Sequence, residues 1–449
     1  MKKHMTYLFL IISFIFLGFS FHVYSKVHVF NHNSVKKNIE YLSSDNFKGR
    51  LAGSIENAAS IIYIKDSFKD AGLKPYNGSY LQSFDTIYPH KISGKPYLSI
   101  TDKNGFLIKE FNYGIDFKED LLNFRKNNLN FSKYDKVEIL DGHIQVKKDN
   151  DYFLFYVPQD NSLNFRSSFI SSSPYSMYIM ITKDTFNELK NYLSKDYNIN
   201  CSIPFETKKT SLNNITAYIE GKDPYSPPIV LSAHFDHIGS DLSGKVYSGA
   251  LDNASGIAFV MEMSKYISSL GKPDRNILFI GFNAEEFGCL GSKAFADKYK
   301  DNLKGAKIFN FDMIGGNNSI PLHIMGGKQD TADSPLIKEA SLICKKDKIS
   351  FNYLFEDASD HEYFRKQNID AITLTDADSS KIHTPNDKAN FINTDSIDRC
   401  FKVASKEVIK YGFNNNLLVL YYKQIFWVSL TCTILSLVIL FKPTRKNNI

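Results

Sequence analysis

The chain has little cysteine, a single tryptophan, and no block of charge of one sign. Five cysteines in 449 residues, none in a C-x-x-C pair, exclude a disulfide-dense scaffold, a cysteine zinc knuckle and a thioredoxin-type redox motif. The net charge of +6, from 54 Lys+Arg against 48 Asp+Glu, is spread along the sequence, and nothing in it marks a nucleic-acid partner. Internal repeats and low-complexity tracts are lacking. A negative mean hydropathy excludes a polytopic membrane protein. What is present is ample core material. A hydrophobic fraction of 43% with 14% aromatic residues rules out an intrinsically disordered chain. At roughly 150 residues per domain, the length fits about three domains, or one large and one small.

Both ends are apolar. Lys2 and Lys3 precede an uncharged run, YLFLIISFIFLGFSF, and then Val23-Tyr24-Ser25. This charged, apolar and small-residue order makes residues 1–25 a signal peptide or an N-terminal anchor. No cysteine follows the run, which argues against a lipid-modified N-terminus. Residues 425–441 are 17 positions without a charge, the short limit for a transmembrane helix. Trp427 and Tyr421-Tyr422 mark one interface, and residues 442–449 form a basic tail with Lys442, Arg445 and Lys446. The positive-inside rule places both basic ends in the cytoplasm, and therefore residues ~26–420 outside.

Between the ends, residues 26–110 are expected to be a helical N-terminal part of the main domain. SVKKNIEYLSS reads as one helix and IENAASIIYIKDSFKDAG as another, with Ala58, Ile61, Ile62, Ile64 and Phe68 on its apolar face and Gly72 ending it. Residues 111–208 read as a β-rich insertion, with short alternating runs such as KVEILDGHIQV and YFLFYV. Residues 209–415 alternate apolar runs (ITAYIEG, PPIVLSA, NILFIGF, AKIFNF, DAITLT) with helical stretches. That alternation predicts an α/β fold, a mixed and largely parallel sheet flanked by helices.

The chemistry is concentrated at the ends of those runs. Residues 229–233 deliver His234 in HFDH, and 277–282 deliver Glu285-Glu286 in NAEEFG. Residues 308–311 deliver Asp312, and 371–375 lead to His383 in KIHTPND. Asp252 lies in SGALDNASG, just before a helical stretch. Singly, each has an ordinary explanation: a helix cap for Asp252, a solvated helix start for the glutamates, a loop histidine for His383. Ordinary explanations do not account for all of them standing at the same end of their strands, where open α/β sheets bind ligands. Nitrogen and carboxylate oxygen suit Zn²⁺, and one carboxylate can bridge two ions ~3.5–4 Å apart. Such a centre lowers the pKa of a water to ~7, and an adjacent carboxylate that is not a ligand takes its proton. The two neighbouring glutamates can divide those tasks.

In this order, HFDHIGS, SGALDNASG, FNAEEFGCLGSKAF, NFDMIGG, SDH and HTPND resemble the zinc aminopeptidases of the M28 peptidase family. The resemblance is closest over residues 213–410. It implies two zinc ions per chain, one held by His234 and Asp312 and the other by Glu286 and His383. Asp252 would bridge them, Glu285 would be the general base, and Asp236 would orient an imidazole. Asp360 of SDH is similar to a family position near the site. The resemblance further implies a cis peptide bond after Asp252, peptide substrates, and a protease-associated-like role for residues 111–208. Relatives also include glutaminyl cyclases, receptor-like ectodomains and carboxypeptidases. A full set of two-metal ligands weighs against the first, and retention of ligands and base weighs against the second.

Overall fold

The computed structural model describes residues 2–414, 416, 418 and 421–441. The chain opens with three helices, α1 (Lys2–Lys26), α2 (His32–Leu42) and α3 (Ile55–Asp70). Asn31 caps α2 by accepting from the Asn33 and Ser34 N–H groups, and Ser54 caps α3 through the Asn57 N–H. Val35, Ile39 and Leu42 at helical spacing bury α2 in the core. In α3 the buried stripe is Asn57, Ser60, Ile64 and Phe68, while Ala58 and Ile62 face solvent. Ile64 and Phe68 are buried as expected, but Ala58 and Ile62 give way on the inner face to two polar residues. The cause is tertiary: Asn57 donates to the Arg50 carbonyl at 3.1 Å and exchanges hydrogen bonds with the Asn283 amide.

The central sheet contains β1 (Lys74–Pro75), β2 (Leu81–Lys91), β12 (Phe205–Ile219), β13 (Ile229–His234), β14 (Ile277–Phe282), β15 (Lys307–Phe311), β16 (Leu322–Gly326), β17 (Phe351–Phe355) and β18 (Asp370–Thr375). Its order is β1-β12-β14-β13-β15-β18-β16-β17, with β2 also paired to β12. Strands β14, β13, β15 and β18 run parallel; β12 and β16 join them antiparallel. The sheet is therefore mixed, parallel at its centre and antiparallel at both flanks. Helices α5 (Ser255–Ser269), α6 (Leu290–Lys298), α7 (Pro335–Lys346), α8 (Glu362–Lys366) and α9 (Thr394–Gly412) cover it.

The β-rich module sits between β2 and β12. It pairs β3 (Tyr97–Thr101), β4 (Leu107–Glu110), β6 (Asn128–Phe131) and β11 (Asn198–Ser202) in one sheet. A second sheet joins β5 (Phe117–Phe124), β7 (Lys136–Leu140), β8 (His143–Lys148), β9 (Asp151–Tyr156) and β10 (Met177–Ile181), and α4 (Lys183–Ser194) packs against β11 of the first. This corrects the expected helical part over 26–110. Residues 81–110 carry three strands, β2, β3 and β4, and the last two belong to the module's own sheet. The pairing that draws β3 into the module is with β11, a hundred residues downstream (Ile100 opposite Ile199), which no local periodicity reveals.

Helices α1 and α10 (Tyr422–Phe441) are each long and apolar enough to cross a membrane. They lie antiparallel, Ser13 against Thr433 (Oγ–Oγ1 3.2 Å) and Tyr24 against Tyr422 and Phe426. Ser20, Ser429 and Ser436 are also buried, so small hydroxyl residues populate the seam, as is common between membrane helices. The expected single C-terminal span is thus accompanied by a second candidate span. The basic tail at 442–449 lies outside the described residues. All five cysteines are free thiols.

Candidate metal centre

Parallel pairing of β14, β13, β15 and β18 puts their carboxyl ends on one rim. His234 is the last residue of β13, Asp312 follows β15, Glu285 and Glu286 follow β14 by three and four residues, and His383 lies in the loop after β18. Four residues at or beside this rim, Ala284, Cys289, Met313 and His383, hold positive φ of 55–57° without being glycine. Such backbone is uncommon for side-chain-bearing residues and is often found at functional sites.

The Asp252 loop is shaped by its glycines. Gly249 has φ 58°, and a Cβ there would lie 2.4 Å from the Asp252 carbonyl oxygen and 2.5 Å from the His237 ring. A Cβ on Gly256 would lie 2.2 Å from the Phe311 carbonyl. This is why G-x-x-D-x-x-S-G requires both ends. Between them, the Asn253 amide accepts from the Gly256 and Met313 N–H groups and donates to the Phe311 carbonyl, tying the loop to the strand that carries Asp312. The Asp252–Asn253 peptide bond is cis, as the resemblance implied.

The side chains converge in two groups. His234, Glu285 and Asp312 form one, with candidate donor atoms all within 4.8 Å of one another; His237, Asp252, Glu286 and His383 form the other. Asp252 spans the gap: its Oδ1 is 3.5 Å from His234 Nε2 and its Oδ2 is 3.3 Å from His383 Nε2. Asp312 Oδ1 is 3.4 Å from His234 Nε2, and Glu286 Oε1 is 3.2 Å from His383 Nε2. Glu285 is the most open of these carboxylates, with 16% of its side chain exposed against 2% for Glu286.

Electrostatics follow from four carboxylates crowded below the surface. Burial pushes the Glu285 carboxyl well above the ordinary range, and the charges of Glu286 and Asp312 add to it. Burial alone would lower His234, but Glu285 and Asp312 beside it prevail and raise it well. His383 behaves alike, raised by Glu286 and Asp252 against its burial. Glu286, despite burial, is held well below the usual range by His383 and His237. The pocket therefore demands positive charge. Asp312 Oδ1 is buried without a hydrogen-bond partner, while its Oδ2 accepts from the Ser359 hydroxyl at 2.6 Å. Nitrogen and oxygen donors, an orphaned carboxylate oxygen and a shared aspartate fit zinc.

Two residues of the site, His237 and Asp387, were not read from the sequence, whereas Asp236 and Asp360 were. His237 is three residues past His234 in HFDH, and its Nδ1 lies 3.0 Å from Glu286 Oε1. The second histidine of that motif was the available signal. Asp236 lies 3.7 Å from His234 Nδ1, and its carboxylate also accepts the Glu285 and Glu286 N–H groups at 3.1 and 3.2 Å. It thus shapes the turn that presents both glutamates. Asp387 of HTPND accepts the Leu251 and Asp252 N–H groups at 2.8 and 3.0 Å. Asp360 is fully buried nearby, and burial pushes its carboxyl up to about 7.

Residues 214–408 match the model of peptidase family M28. Aminopeptidase YwaD of Bacillus subtilis (strain 168) is 30% identical over 203 residues, 42% of this chain and 42% of that protein. A vacuolar membrane protease of Kluyveromyces lactis is 36% identical over 101 residues, covering 21% of this chain and 10% of that one. These matches span less than half the length of either relative. Among solved structures, the aminopeptidase from Aneurinibacillus sp. strain AM-1 shares the fold at a TM-score of 0.59 and 20% identity, covering 86% of this chain and 94% of that one. BSAP, a zinc aminopeptidase from Bacillus subtilis, does so at 0.60 and 18%, covering 86% and 97%. The stretch that carries the rim, residues 214–408, is thus similar to peptidase family M28.

Proposed function

We propose that this protein is a membrane-anchored, outward-facing zinc exopeptidase, an aminopeptidase acting on peptides with a free N-terminus. The observation that carries it is Asp252, whose two oxygens face His234 on one side and His383 on the other, between two groups of metal-binding side chains. His234 and Asp312 would hold one zinc, Glu286 and His383 the other, with Asp252 shared. When bound, zinc polarises the scissile carbonyl and acidifies a water at neutral pH. Glu285, at the open side and not needed for either ligand set, takes the proton as general base and returns it to the leaving amine. A hollow of ≈ 190 Å³ is bounded in part by Leu251 and Met313, the chain neighbours of Asp252 and Asp312, and by Ile382 and Phe391. The similarity to aminopeptidase YwaD of Bacillus subtilis supports the aminopeptidase reading. Metal analysis combined with a panel of free and N-blocked peptides tests this. Two zinc ions and cleavage of free peptides alone are expected; cleavage of blocked peptides alone overturns the aminopeptidase reading.

The anchoring rests on α1 and α10, and the orientation on Lys2, Lys3 and the basic residues after 441. Because the two helices pack together, removing one is expected to leave the chain membrane-bound. Residues 26–422 alone are expected to be soluble, to bind zinc and to turn over peptides as the full chain does. Fractionation of the three truncations checks this, and a soluble chain of residues 1–422 would show that α1 is no anchor.

A further inference from the structure

The β-rich module reaches the rim through residues 163–170, which lie outside the M28 match. Ser168 donates from its hydroxyl to Glu286 Oε2 at 2.5 Å, and the Phe169 N–H donates to the Glu286 carbonyl at 3.0 Å. The Arg166 N–H donates to the His383 carbonyl at 3.1 Å, and the Phe165 ring stacks over the His383 imidazole, centroids 5.7 Å apart. The same segment is fastened to the module. Arg166 pairs with Glu119 at 2.9 Å, both fully buried, and the Ser167 N–H and hydroxyl both donate to the Asp120 carboxylate at 2.7 Å. Phe169 packs edge-on against Phe287, next to Glu286, and the module's apolar core includes Ala284 and Phe287 from the rim.

Glu286 is thereby divided. Its Oε1 faces His237 and His383, and its Oε2 is engaged by Ser168. A carboxylate pinned through one oxygen presents the other in a fixed place, and hydrogen bonds behind a ligand carry a substantial part of metal affinity. We propose that this strap completes the metal centre, with Ser168 as a positioning residue that fixes Glu286, so that the module sets the affinity for the second zinc. The inference rests on the two-zinc reading above. It makes the module a working part of the catalytic centre, supplied from a region of sequence that carries none of the ligands.

The test compares Ser168→Ala with Ser168→Thr in the full chain, measuring each zinc affinity by chelator competition and kcat against KM across a zinc titration. Ser168→Ala is expected to weaken the second zinc about 10–100-fold, to leave the first within about twofold, and to recover most of kcat at saturating zinc. Ser168→Thr, which keeps the hydroxyl, is expected to stay near wild type. Equal loss at both zincs, or loss in the threonine variant as large as in the alanine variant, would assign Ser168 a packing role and overturn the proposal. Unchanged zinc affinities in Ser168→Ala overturn it as well, with the two-zinc reading intact. A wild-type chain that binds fewer than two zincs overturns both.

Discussion

Glu285→Gln is expected to lose about 10²–10⁴-fold in kcat while both zincs stay bound. The amide keeps the size and polarity of the side chain but cannot accept a proton. The residue sits at the open side of the rim, 4.0 Å from His234 Nε2. Glu286→Gln is expected to fail differently. Glu286 is buried against His237 and His383, and exchanging its charged oxygen for a neutral one removes the charge that those imidazoles and a cation share. The second zinc should bind more weakly, and activity should partly return as zinc is raised. Zinc stoichiometry and turnover measured together across a titration separate the two. If Glu285→Gln sheds metal while Glu286→Gln keeps two ions, the roles of the pair are reversed.

Arg50→Met is expected to cost about 4 kcal/mol of stability and to weaken zinc binding at the same time. The Arg50 guanidinium is fully buried and, among the described residues, has no carboxylate partner within ion-pair distance. It donates instead to four carbonyls: Phe235 through Nε at 2.8 Å, Leu42 and Ser248 through Nη1 at 2.7 and 2.9 Å, and Gly249 through Nη2 at 2.8 Å. One side chain from the N-terminal helical part therefore holds both the HFDH turn and the loop that presents Asp252. Burial lowers its pKa to about 10, opposed by the surrounding carboxylates, so it stays charged at neutral pH. Each buried carbonyl left without a donor costs ~1–3 kcal/mol, less whatever water recovers. Arg50→Lys is expected to restore less than half of the loss, because an ammonium lacks the planar fork that reaches four acceptors. Denaturant midpoints and zinc affinity measure both effects. A Met variant within 1 kcal/mol of wild type would show that water replaces the guanidinium without penalty.

Much of the site was legible because its residues share one structural rule. Each apolar run that became a central strand ends at or just before a metal-binding type of residue, and parallel strands bring like ends together. That rule needs only local pattern, and so His234, Asp252, Glu285, Glu286, Asp312 and His383 could be picked out by position. It also placed the helices and the α/β class. The same logic failed at 81–110, where short β runs were assigned to a helical segment. It failed also at α3, where Asn57 and Ser60 took the inner face.

The sequence by itself determined the α/β class, the rim on which the candidate ligands lie, the apolar ends and the residue types available to zinc. These follow from periodicity and strand-end position, which are properties of neighbours along the chain. Only the tertiary structure decided that His237 joins Glu286, that Arg50 clamps two loops through carbonyl oxygens, and that Ser168 reaches Glu286 from the module. The physical reason is common to all three. Each contact joins segments 49 to 199 residues apart, at distances of about 3 Å or less that depend on how whole elements pack. No local signal in the chain encodes which buried carbonyl or carboxylate a distant donor will meet.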